Sequence, residues 1–123
     1  MGTILLIEPD TTTRDDLFRR LKEAGCDVMI TSSVLEDVLA YTLSTEVRAV
    51  FCAYDLAEAA DGLILAVNLR KYRSKVRILL YGKEPLDKAT RRSLAKAKIL
   101  YLEQSDLKAF TRFIESLYKP LFP

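Results

Sequence analysis

Histidine is absent from this chain of 123 residues. Its absence excludes Ser-His triads, histidine-containing zinc sites and histidine phosphorylation on the chain itself. Cysteine is nearly absent: Cys26 and Cys52 stand far apart without CxxC spacing. Cys52 lies inside an apolar run, where a thiol behaves as a small hydrophobe. Both read as reduced, which suits a cytoplasmic protein. No apolar stretch approaches the roughly 20 residues of a membrane span, and the first residues run straight into a strand pattern with no basic region before it. Neither GxGxxG nor GxxxxGK followed by Ser or Thr occurs, so a glycine-rich phosphate cradle has no support. Internal repeats and low-complexity segments are also missing.

What remains is a chain in which 50% of residues are hydrophobic and 29% charged, enough for a packed core within a polar surface. The length suits a single domain over residues 1–123. Nineteen basic residues against seventeen acidic ones give a net charge of +2, too near balance to imply a polyanionic partner, so nucleic acid is not expected.

Short apolar runs alternate with amphipathic stretches, the pattern of βα units around a parallel sheet. Strands are predicted over residues 3–8 (TILLIE), 27–31, 47–54 (VRAVFCAY), 76–81 (VRILLY) and 99–103 (ILYLE). Helices are predicted after Asp10, with Leu17, Phe18, Leu21 and Ala24 on one face and Gly25 ending it; after a capping box Ser33 to Glu36, with Val34, Val38 and Tyr41 inward; and over residues 63–72, 86–97 and 105–118. The last carries Leu107, Phe110, Ile114 and Leu117 on one face, and Pro120 stops it, leaving 119–123 as a tail. The expected architecture is a flavodoxin-like, doubly wound five-stranded parallel sheet, (βα)5, in three α/β/α layers.

Open parallel sheets bind ligands at the carboxyl ends of their strands, so the residues ending each strand are the candidates. The first strand ends on Glu8, Pro9 and Asp10, the third on Asp55, the fourth on Tyr81 and Gly82, the fifth on Glu103 and Gln104. Gathered carboxylates either hold a hard cation such as Mg²⁺ or raise one another's pKa. The plain alternative is that Asp10 caps a helix and Asp55 ends a strand in a polar loop.

Over residues 3–118 the order, lengths and acid placement resemble the receiver domain of two-component response regulators, the CheY-like family. The family's first strand reads like ILIVDDEPxxR, and residues 4–14 read ILLIEPDTTTR. Its third strand, an apolar run ending in Asp, is matched by VFCAYD, and its DG before the third helix by Asp61-Gly62. The resemblance implies a bacterial signalling module of a two-component or phosphorelay pathway rather than an enzyme. It makes Asp55 the phosphoacceptor, Glu8, Asp10 and Asp55 the acidic pocket that would bind Mg²⁺, and Tyr101 the switch aromatic. Against that pattern, Pro9 replaces the second acid, Tyr81 the Ser or Thr ending the fourth strand, Gln104 the lysine after the fifth and Ser105 the proline beside it. Losing the lysine removes a charge-assisted bond worth roughly 1.5–3 kcal/mol to a phosphoryl group. Pro9 removes a usual Mg²⁺ ligand, so Mg²⁺ affinity is expected to be weak or absent.

The resulting expectation is an atypical, or pseudo, receiver that docks protein partners without obligatory phosphorylation. The alternative is a receiver taking a phosphoryl group from a histidine kinase onto Asp55 with Mg²⁺. Docking, to a partner or to itself, is expected through the third helix, where Ile64 and Val67 are read as outward-facing apolar residues, or through the side made by the fourth helix, fifth strand and fifth helix. Residues 70–77 (RKYRSKVR) carry five basic side chains, and with Arg91 and Arg92 they are read as a solvated surface rather than a phosphate site.

Overall fold

The computed structural model describes residues 3–44, 47–56 and 62–118. Apolar runs of strand length become strands covered on both faces: β1 (Thr3–Ile7), β3 (Val47–Ala53) and β4 (Arg77–Gly82) supply most of the core, while β2 (Asp27–Ile30) and β5 (Ile99–Glu103) lie at the edges and are more exposed. Between them come α1 (Thr11–Glu23), α2 (Leu35–Ser44), α3 (Gly62–Tyr72) and α4 (Lys88–Lys96), and α5 (Leu107–Tyr118) follows β5. All strand pairs are parallel and the order is β2-β1-β3-β4-β5. This is the doubly wound arrangement the alternating pattern predicts. Among the described residues, no helix is long and apolar enough to cross a membrane.

The helices start where side chains can take their orphaned amides. Asp10 caps α1 and Asp87 caps α4, each accepting from the backbone amide three residues on, Thr13 at 2.9 Å and Thr90 at 2.7 Å. Asp106 accepts likewise from the Ala109 amide at 3.1 Å ahead of α5. Gly25, at φ +91°, occupies the left-handed position just past α1. Gly62 is required for another reason: a Cβ there would lie 1.9 Å from the Ala53 carbonyl oxygen, so only glycine lets α3 start so close to the end of β3.

Two expectations for α2 are corrected. Its start is not a capping box on Ser33. The Ser32 hydroxyl accepts from the Val34 amide at 3.2 Å and donates to Asp37 at 2.7 Å, and the helix begins one residue later than the box implies. Its inward face is Leu35, Val38 and Leu39; Val34 and Tyr41 are exposed. Val34 precedes the helix's first residue, and Leu35, Val38 and Leu39, at i, i+3 and i+4, share the stripe that meets the core, with Tyr41 off it. On α5 Phe110 and Phe113 are buried and Ile114 is half-buried, with the Phe113 ring 5.5 Å from that of Phe51. The expectations for the side chains of Leu107 and Leu117, for Asp61 and for the tail at 119–123 lie outside the described residues.

Candidate functional site

β1 pairs with β2 on one side and β3 on the other, so the winding reverses there, and the connections that leave in opposite directions open a crevice at the strands' carboxyl ends. A cleft of about 840 Å³ lies at that end. Glu8, Pro9 and Asp10 line it from just past β1, Tyr54 and Asp55 from just past β3, Tyr81, Gly82, Lys83 and Glu84 from the end of β4 and beyond, and Tyr101 and Gln104 from the end of β5 and beyond. The three predicted acids thus share one cleft with the altered positions Pro9, Tyr81 and Gln104 and with the aromatic Tyr101. Ser105, exposed beside Gln104, opens instead onto a shallower depression with Arg20 and Lys83.

The floor is a closed hydrogen-bonded unit. Tyr81 is 1% exposed, and its ring meets Phe110 of α5 edge to face at 5.8 Å between centroids. Its hydroxyl donates to Glu8 Oε1 at 2.8 Å, while Glu8 Oε2 accepts the Asp10 amide at 3.0 Å. A carboxylate 8% exposed needs such partners, because an unpaired charge there would carry the full cost of its lost hydration. Burial first, and the Glu8 charge second, push the ionisation of Tyr81 far above the ordinary phenol range. At neutral pH the phenol is therefore a fixed donor aimed at Glu8.

The rim is built differently. Asp10 points away from the floor: its Oδ2 accepts both the amide and the hydroxyl of Thr13, at 2.9 and 2.7 Å. Those bonds, with a smaller contribution from the charge of Lys83, hold its carboxyl below the usual range. The reading in which Asp10 caps a helix is thus the one its contacts support. Asp55 is exposed at the cleft mouth, two residues past β3. Pro9 is exposed and has no amide hydrogen to give. Tyr101 is half-buried: its hydroxyl donates to the Glu84 carbonyl at 2.5 Å and its ring meets Tyr54 edge to face at 5.9 Å. A Cβ on Gly82 would come 2.4 Å from that hydroxyl, so the glycine is what lets Tyr101 lie across the end of β4.

Sequence reasoning looked for the missing cation only after β5 and passed over Lys83. The Gln104 amide donates to the Gly82 carbonyl at 2.7 Å, which continues the β4-β5 pairing and sets Lys83 in the chain position neighbouring Gln104. The signal was present as the lysine in YGKE, directly after the fourth apolar run.

Receiver-type chemistry would place Mg²⁺ among Glu8, Asp10 and Asp55. Both Glu8 oxygens are engaged inside the protein, Asp10 turns to Thr13, and among the described residues no three Asp, Glu, Cys or His side chains are grouped to hold a metal ion. As arranged, the residues do not make a ligand set for that ion.

Away from the cleft, Ile64 is 52% exposed, but Val67 is half-buried against the core, so the outward apolar face of α3 is narrower than predicted. The basic segment is partly structural. The Arg70 guanidinium donates to the carbonyls of Arg73, Val76, Ala97 and Lys98 at 2.7 to 2.9 Å, joining the end of α3 to the end of α4. Arg73 donates to Thr42 Oγ1 at 2.8 Å and to the Leu39 carbonyl at 3.2 Å, and Arg77 lies 5.2 Å over the Phe113 ring. Carbonyls that end helices attract cations, and this accounts for several of the charges without a ligand.

No protein-family model matches the sequence, and no curated protein matches it. Solved structures do. A two-component response regulator from Clostridium difficile superposes with a TM-score of 0.79 at 18% identity, covering 100% of both chains. The response regulator protein TrrA from Thermotoga maritima, in complex with Mg²⁺-BeF, gives 0.75 at 19% identity over 95% of this chain and 99% of that one. A receiver domain protein from Methanospirillum hungatei gives 0.75 at 15% identity over 95% and 96%. The chain has the receiver fold of the CheY-like response regulators, as the sequence pattern predicted.

Proposed function

We propose that the chain is an atypical receiver: a two-component signalling module that presents a fixed surface to protein partners and does not depend on phosphorylation or Mg²⁺. The observation that carries this reading is the Tyr81–Glu8 hydrogen bond at 2.8 Å. In the family that the sequence resembles, the fourth strand's Ser or Thr turns its hydroxyl to an incoming phosphoryl group, and the first acid helps hold the metal. Here the two positions bind each other in a buried contact, and undoing it would expose an unpaired carboxylate and vacate a tightly packed ring. Protein docking as the mode of action draws support from structural neighbours solved in complexes, among them the histidine kinase ThkA with the response regulator TrrA and the yeast phosphotransfer protein Ypd1 with the receiver domain of Ssk1.

A second reading keeps Asp55 as phosphoacceptor. Asp55 is exposed at the cleft mouth, and Lys83, directly after β4, supplies a cation of the kind missing after β5. Titration with Mg²⁺ and beryllium fluoride, followed by amide NMR, separates the two. The atypical receiver gives no saturable shifts. Shifts centred on Glu8, Asp10 and Asp55 and spreading to Tyr81 and Tyr101 would overturn it in favour of a phosphorylation switch.

A further inference from the structure

The near-neutral total conceals a separation of charge. Residues 1–61 hold five basic and twelve acidic side chains, net −7; residues 62–123 hold fourteen and five, net +9. With strand order β2-β1-β3-β4-β5, β2 and the start of α2 lie at one edge of the sheet, and β5, with α4 packed on it, at the other. Among the described residues, the two edges thereby carry opposite charge, Asp27, Glu36 and Asp37 at the β2/α2 edge and Lys88, Arg91, Arg92 and Lys96 on α4 at the other.

The two edges are built alike with opposite sign. On α4, Lys88, Arg92 and Lys96 follow at i, i+4 and i+8 as an exposed ridge opposite the buried Leu94, and the helix contains no acid. Beside them the edge strand β5 exposes Leu100 at 42%. At the other edge, Asp27 and Glu36 are exposed, no basic residue occurs between Lys22 and Arg48, and Ile30 and Val34 are 43% and 50% exposed. On α1, by contrast, acids and bases neutralise one another locally, as Arg19 and Arg20 both pair with Asp16.

We propose that these edges recognise each other in successive copies of this chain: the basic β5/α4 edge of one molecule docks on the acidic β2/α2 edge of the next, with Leu100 meeting Ile30 and Val34 at the centre. Like edges repel, which disfavours a two-fold dimer through either one, and a single molecule cannot bring its own opposite edges together. The association is therefore heterologous and head to tail. A nucleic acid would match the basic edge alone and leave the acidic edge unexplained. The proposal deepens the docking role above by naming the partner. The beryllium fluoride titration reads the cleft and the experiment below reads the edges, so either can fail without the other.

Sedimentation velocity over a concentration series is the test. At about 25 mM salt, where exposed charges are weakly screened, the average mass rises above 14.0 kDa with concentration, and at about 500 mM it returns to the monomer. Arg92→Glu alone and Glu36→Lys alone each weaken self-association by about tenfold or more. Mixing the two restores association, because the unaltered basic edge of the Glu36→Lys chain meets the unaltered acidic edge of the Arg92→Glu chain; circular dichroism confirms that both variants fold. A monomer at every concentration in low salt overturns the proposal. So do reversals that leave association unchanged, or a monomer that shifts duplex DNA in an Arg92-dependent way.

Discussion

Glu8 and Asp10 are two residues apart and line one cleft, yet one carboxylate is buried beneath a tyrosine hydroxyl and the other stands in solvent on a helix cap. By motif position alone both would belong to one acidic pocket. Their neighbours divide them. A carboxylate on the floor has to be satisfied from within the protein, and the partner that satisfies it, Tyr81, occupies the place where a small hydroxyl would leave room for chemistry. A carboxylate on the rim is under no such demand and takes the nearest donors, the Thr13 amide and hydroxyl. The floor is thereby committed to stability, while Asp55 and Lys83 at the rim remain exposed to solvent.

The largest effect is expected from removing the floor. Tyr81→Ala leaves a cavity where a fully buried ring packed against Phe110, and denaturant unfolding should show a loss of about 4 kcal/mol. Tyr81→Phe sharpens the contrast by taking only the hydroxyl. The buried Glu8 carboxylate loses a donor, at a cost of about 1–3 kcal/mol. Tyr81→Phe combined with Glu8→Met removes donor and acceptor together, and the double variant should be more stable than the sum of its single changes predicts. Additive losses would mean that the two groups are not coupled and that floor and rim do not differ as described.

The same hydroxyl gives a pH signature. Its folded-state pKa lies above the unfolded value of 10.0, so its contribution is intact below pH 10. Above that, the unfolded chain releases the phenolic proton and the folded chain keeps it, and stability falls as pH rises, by up to about 1.4 kcal/mol per pH unit for this one proton. Tyr81→Phe should remove that share from the alkaline limb measured by urea unfolding. An unchanged slope would show that the phenol ionises in the folded state.

Much of this was readable in the residues, and the rest was hidden for identifiable reasons. Strand runs covered on both faces, such as TILLI and VFCA, are unambiguous because few other structures bury so many consecutive apolar residues. The strand ends followed, and with them the cleft. Sequence could mark Tyr81 as out of place but not show its hydroxyl bonding to a carboxylate 73 residues away, because that contact exists only once β1 and β4 flank β3. The face of α2 was misjudged because Ser33 and Glu36 make a plausible box locally, while Ser32 and Asp37 make the contacts that form. The basic run at 70–77 looked like one solvated surface, although Arg70 closes the end of α4 and Arg73 ties α3 to α2, both through carbonyls contributed by distant segments.

The smallest effect belongs to the rim and follows from the same hydrogen bonds. The folded-state pKa of Asp10 lies below its usual 3.8, the bonds from Thr13 being the main cause and burial opposing them. Its stabilisation is therefore complete above pH 3.8 and is lost as pH falls through the depressed value, because protonation removes the charge that Thr13 holds. Asp87, bonded to Thr90 at the start of α4, behaves in the same sense. An acid titration followed at the Thr13 and Thr90 amides should show midpoints below 3.8 and a local opening of the first turns of α1 and α4. Asp10→Asn keeps an acceptor at the cap and should abolish the Thr13 midpoint with a smaller loss of stability than Tyr81→Phe. If Asp10→Asn instead costs as much as the floor variant, Asp10 is part of the buried unit, and the division between floor and rim has been drawn in the wrong place.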